Sequence, residues 1–175
     1  ERFLMEDYHP RQESTYALTL FRYNTEVDEA AGGESKGEKK AVTVDFWDTA
    51  GQERFQNMHP SYYYRAHACL LGFDVTRKVT YQHLKGWPSE LRNYCEDIPV
   101  VCIANKIDVD YKVTKKAFSF PRKHDLLFDF VSAADGTNVV KVFNQAIQLA
   151  YDYKTGDSAG IMKTMMDLLD EDDPK

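Results

Sequence analysis

From residue 15 to about residue 27 apolar and polar positions roughly alternate, with Tyr16, Leu18 and Leu20 on one face, which predicts a strand. Residues 30–39 carry Gly32, Gly33 and Gly37 among charges and predict a hairpin loop. Val42, Val44 and Phe46 then alternate with Thr43, Asp45 and Trp47, so a second strand follows and the two form an antiparallel hairpin. The pattern changes after that. Residues 68–73 and 98–104 are short continuous apolar runs, the signature of parallel strands covered on both faces. Residues 126–131 form a third run, interrupted by Asp129. Between the runs, Leu84, Trp87, Leu91 and Tyr94 recur at helical spacing, but Pro88 falls inside the pattern and predicts a kinked or broken helix. Val139, Phe143, Ala146, Ile147 and Ala150 form one stripe of a late amphipathic helix. Residues 1–6 read as the end of a helix and 8–14 as a loop. Strands alternating with helices predict an α/β fold, a mostly parallel sheet with one antiparallel hairpin strand.

Composition narrows the function classes. The 175 residues carry a net charge of −6, a poor match to a nucleic-acid partner. No run of 18 apolar residues exists, so no spanning helix is expected. Cys69, Cys95 and Cys102 show no paired spacing and read as reduced thiols of a cytoplasmic protein. Residues 151–175 hold seven acids against three bases, −4 of the total. Residues 154–175 are therefore expected to form an acidic helix or tail beyond a domain spanning 1–153. The chain opens on Glu1 and is expected to begin inside a longer protein.

The chemistry lies in segments that end the predicted strands. Asp48-Thr49-Ala50-Gly51-Gln52-Glu53 follows the second strand. An Asp there can hold Mg²⁺ through water, a Gly lets a backbone N–H approach a terminal phosphate, and a Gln can orient an attacking water. An ordinary strand-to-helix turn is the competing reading, and the restricted order of residue types argues against it. Asn105-Lys106-Ile107-Asp108 follows residues 98–104, at the carboxyl end of a parallel strand where α/β proteins bind ligands. The Asp108 carboxylate can accept from N1–H and the 2-amino group of guanine, a donor pair that adenine lacks, while Asn105 and the Lys106 stem hold the loop and cover the base. Ser132-Ala133-Ala134 ends the next strand and can offer a backbone N–H to guanine O6. Thr15, just before the first strand, has a hydroxyl suited to Mg²⁺. The five histidines show no ligand spacing, which argues against a metal hydrolase.

Thr15, Asp48-Thr49-Ala50-Gly51-Gln52, Asn105-Lys106-Ile107-Asp108 and Ser132-Ala133, in that order, resemble the Ras superfamily of small GTPases. Trp47, Gln52-Glu53-Arg54-Phe55 and Tyr62-Tyr63-Tyr64-Arg65-Ala66-His67 resemble its Rab branch. The segments Ser14-Thr15-Tyr16-Ala17-Leu18-Thr19-Leu20, Arg77-Lys78-Val79-Thr80-Tyr81 and 131–141 are similar to the Rab-like protein 2 subfamily, associated with cilia and intraflagellar transport. The resemblance implies a P-loop NTPase G-domain over residues 1–153, a switch that binds GTP or GDP with Mg²⁺ and hydrolyses GTP slowly. By position, Tyr8 matches the aromatic packed on the guanine, Thr15 and Asp48 the Mg²⁺ ligands, Gly51 the γ-phosphate contact and Gln52 the catalytic residue. Asn105, Lys106, Asp108, Ser132 and Ala133 match the base site. Leu20, Trp47 and Tyr62 match the surface shown to effectors through switch I, the interswitch and switch II. Leu20 replaces the family's usual Phe, which implies a partner set unlike that of a typical Rab. Intraflagellar-transport or basal-body proteins are the implied partners, and a monomer is expected.

Two departures accompany the resemblance. The phosphate-binding loop G-x-x-x-x-G-K-[ST] does not occur in the chain, and the first, central strand that leads into it is expected to be missing with it. A nucleotide-free interaction module is therefore the alternative function. No cysteine lies near the last residue, so no prenyl anchor is expected there.

Overall fold

The computed structural model describes residues 2–5, 8, 9, 15, 18–29, 38–49, 63, 65–95, 97–157, 161 and 162. Strands β1 (Leu18–Asp28) and β2 (Lys39–Thr49) form an 11-residue antiparallel ladder, running from Leu18 opposite Thr49 to Asp28 opposite Lys39. Strands β3 (Cys69–Asp74), β4 (Val100–Asn105) and β5 (Leu127–Phe130) form a separate parallel sheet in that order. Helices are α1 (Arg2–Met5), α2 (Lys78–His83), α3 (Trp87–Arg92), α4 (Ser119–Lys123) and α5 (Val139–Thr155).

The continuous apolar runs are covered on both faces, as their pattern predicts. On one face Phe73, Leu84, Leu91, Ile98, Cys102 and Phe120 form a core under α2, α3 and α4. On the other, Val101 and Val131 pack against Val142, Ala146 and Leu149 of α5. The helix expected across Pro88 is indeed broken. It divides into α2 and α3 at the turn 84–86, and Pro88 sits in the first turn of α3, where its missing N–H costs no intrahelical bond. Helix α5 ends at Gly156, whose φ of +76° is a left-handed cap that favours glycine.

In the hairpin the strands form where alternation predicts them. Phe21, Tyr23 and Val27 point inward and Leu20 outward, because Leu20 pairs with Trp47 while Tyr23 pairs with Val44. The inner face meets α1 and α5 through an aromatic cluster. Phe3 stacks on Phe143 at 4.7 Å between centroids and lies 5.1 Å from Tyr23 and 5.9 Å from Phe46. Farther along, the Gln148 amide binds the Asp28 backbone at both ends: Oε1 accepts from Asp28 N–H and Nε2 donates to Asp28 C=O, each at 2.9 Å.

The strands form two sheets, and among the described residues no ladder joins β2 to β3. Between them lies a cavity of about 2290 Å³, lined by Val42, Val44 and Phe46 on one side and Leu70 and Gly72 on the other. That is larger than a small-molecule pocket, typically about 300–1,000 Å³.

Candidate functional site

Among the described residues, Thr15 and Asp48 meet at the carboxyl end of β2, and Asn105, Lys106, Asp108, Ser132 and Ala133 meet at those of β4 and β5. Strand β2 delivers Asp48 next to its last residue, where the Thr15 hydroxyl donates to Asp48 Oδ2 at 2.9 Å. Two hard oxygens 33 residues apart are thereby brought together. One carboxylate and one hydroxyl suit Mg²⁺, which keeps several waters and takes further oxygens from phosphates. Among the described residues no group of three His, Cys, Asp or Glu side chains is placed to hold a metal without such help.

Strand β4 ends in Asn105, followed by Lys106 in the left-handed region at φ +71°, a conformation that costs a non-glycine residue about 1 kcal/mol or more. Local bonds hold it there. The Asn105 Oδ1 accepts from the Lys106 N–H at 2.7 Å, and the Lys106 carbonyl accepts from Val109 N–H at 3.3 Å. The Lys106 ammonium reaches across to the end of β3 and pairs with Asp74 Oδ2 at 2.7 Å. Asp74 Oδ1 accepts from the N–H and hydroxyl of Thr76 at 2.8 and 2.6 Å. Burial pushes the Asp74 carboxyl up, but Lys106 and the Thr76 bonds outweigh it and hold the group below its ordinary value.

The turn after β5 locks onto this loop. Ser132, fully buried, donates through Oγ to Asp108 Oδ1 at 2.7 Å, and Ala133 N–H donates to Asn105 Oδ1 at 3.1 Å. The four residues therefore form one hydrogen-bonded unit whose half-buried carboxylate, Asp108, is aligned by a buried hydroxyl. The Ala133 N–H, expected to meet guanine O6, is committed to Asn105, so O6 can use it only by sharing or releasing that bond. Tyr8 is 38% exposed. Gly51, Gln52 and Tyr62 lie outside the described residues.

On the hairpin's outer face Leu20 and Trp47 are cross-strand partners, 51% and 49% exposed. Beside them Arg22 forms a two-point ion pair with Asp45 at 2.8 and 3.1 Å. The three thiols are free, and burial pushes Cys69 up to about 11 and Cys102 up to about 12, which keeps both protonated.

Sequence reasoning missed two residues of the site. Asp74 ends β3 beside Asn105, its register partner, and its signal was its place at a third parallel strand end. Tyr111 reaches Asp135 across the two base loops, and no spacing rule marks that pair.

A parallel sheet with polar loops at its carboxyl ends defines an α/β protein of the kind that binds ligands at those strand ends. The profile of the Ras family matches residues 1–152, and the chain belongs to that family. It is 56% identical over 154 residues to Rab-like protein 2A from Pongo abelii and from Mus musculus, and to Rab-like protein 2B from Homo sapiens. Each match covers 88% of this chain and 63–65% of the relative, so the chain spans less than two thirds of the length of the curated relatives it matches. Ras-family GTPases in general bind guanine nucleotide and Mg²⁺ and act on effector proteins. Among the described residues no helix is long and apolar enough to cross a membrane.

Proposed function

We propose that the full-length protein is a guanine-nucleotide-dependent switch that binds GTP, hydrolyses it slowly and recruits effectors while GTP is bound. The observation that carries this reading is the bonded unit of Asn105, Asp108, Ser132 and Ala133 at the ends of β4 and β5. The Thr15–Asp48 pair at the end of β2 supports it. In this reading Asp108 selects guanine and Asn105 with Ser132 fixes the loops. The Lys106 stem and Tyr8 cover the base, and Gln52 orients the attacking water. Thr15 and Asp48 would hold Mg²⁺, which supplies neutralising charge to the phosphates. Gly51 contacts the γ-phosphate, so its loss releases the segments around Thr15 and Gly51. Leu20 and Trp47, with Tyr62, form the effector surface. Residues 1–153 constitute the G-domain and 154–175 an acidic appendage. The role extends to ciliary or intraflagellar transport on subfamily resemblance alone.

The direct test is nucleotide content. The full-length protein is purified and denatured, and the supernatant is chromatographed against GDP and GTP standards. About one guanine nucleotide per chain is expected. An empty protein that also fails to take up added GDP with Mg²⁺ would overturn the proposal and favour a nucleotide-free interaction module.

A further inference from the structure

Two of the bonds joining the loop after β4 to the turn after β5 are made by motif residues, Ser132 to Asp108 and Ala133 to Asn105. A further one is made outside the base-site motifs. Tyr111 opens the 3-10 turn Tyr111–Lys115, whose N-cap Asp110 accepts from Lys112 N–H at 3.0 Å. From there the Tyr111 hydroxyl donates to Asp135 Oδ2. Asp135 is fixed in turn. Its Oδ1 accepts from Thr137 N–H at 2.8 Å, and its own N–H donates to Ser132 Oγ at 3.2 Å. Ser132 Oγ donates onward to Asp108. An unbroken run of hydrogen bonds thus leads from Tyr111 through Asp135 and Ser132 to the Asp108 carboxylate.

We propose that Tyr111 is a positioning residue for base recognition: by bracing the 132–136 turn through Asp135, it fixes the Asp108 carboxylate and slows release of guanine nucleotide. The inference rests on the guanine-binding reading above and assigns to it a residue that need not touch the ligand. Bonds from Thr137, then Tyr111, hold the Asp135 carboxyl well below its ordinary range, so the acceptor stays ionised at neutral pH. Tyr111 is 51% exposed, and an exposed bond of this kind adds little to global stability. Its effect is therefore local, on the two loops it ties.

Guanine presents two donors to the carboxylate and hypoxanthine only one. A carboxylate whose orientation loosens loses more against guanine. The test compares release of fluorescent GDP and IDP from full-length wild type and Tyr111→Phe, a variant that keeps the ring and removes only the oxygen. GDP release is expected to accelerate about fivefold, the equivalent of one ordinary hydrogen bond. IDP release should change less than about twofold on the same scale, with an unchanged melting temperature. In an Asp135→Ala background, Tyr111→Phe should have no further effect. Equal acceleration of both nucleotides, no acceleration, or a full effect without Asp135 overturns the inference and leaves the proposed function standing. A wild-type protein that binds neither nucleotide overturns both.

Discussion

Replacing Ser132 with alanine tests how strongly the base loops depend on one buried hydroxyl. The side chain is fully buried, donates to Asp108 Oδ1 at 2.7 Å and accepts from Asp135 N–H at 3.2 Å. The first bond has a charged acceptor, a class that contributes about 1.5–3 kcal/mol, and the second is a longer neutral bond at the low end of about 0.5–1.5 kcal/mol. Asp108 is half-buried, so water recovers part of the loss, and the net cost expected for Ser132→Ala is about 2 kcal/mol. For a domain of this size that lowers the melting temperature by about 4–8 °C. The assay is urea denaturation of the full-length protein at pH 7 with GDP removed, wild type against variant. A double-mutant cycle with Asp108→Ala isolates the pair, and a coupling of about 1.5 kcal/mol is expected. A midpoint shift equivalent to less than about 0.5 kcal/mol, or a vanishing coupling, would refute the idea that Ser132 aligns the carboxylate.

Three further outcomes follow from the same structure. Asp108→Asn exchanges one acceptor oxygen for a donor, so preference should move from guanine toward xanthine nucleotides by at least about tenfold in relative affinity, and retained guanine selectivity would contradict the base-reading role. Gln148→Ala removes both bonds to the Asp28 backbone and a 2.8 Å bond to the buried Asp152. It should cost about 2 kcal/mol and speed hydrogen exchange at Val27 and Asp28, read by mass spectrometry. His67 is held below its ordinary value, first by burial and then by Lys154 and Arg65. Its neutral form is the native one, so its stabilising contribution is intact above its unfolded pKa, near 6.5, and fades as pH falls through the lower folded value. Proton-linked destabilisation between pH 7 and 5 should diminish in His67→Gln.

Most of the fold was legible because burial leaves a periodic trace. The run at 98–104 announced β4, and the stripe from Val139 to Ala150 announced α5. The base site was legible because its chemistry tolerates few residue types: Asp108 needs a carboxylate and Ser132 a small hydroxyl. What escaped depends on partners distant in sequence. The inner face of β1 follows from its register with β2 and from Phe143, more than a hundred residues on. The Tyr111–Asp135 bond spans 24 residues between two irregular segments, where no periodicity operates. That Asn105 occupies the Ala133 N–H is likewise a matter of loop geometry alone.

The cavity between β2 and β3 has a thermodynamic meaning. The parallel sheet owns a core on each face, whereas the hairpin is joined to it through α5, by the aromatic cluster and the Gln148 amide, with no strand ladder between them. Cooperativity in a folded chain extends only as far as shared contacts carry it. The hairpin is therefore expected to behave as a foldon of its own, its amide hydrogens exchanging at lower free energy than those of the parallel sheet. The strength of the contacts made through α5 therefore decides whether these two parts unfold in one transition or two.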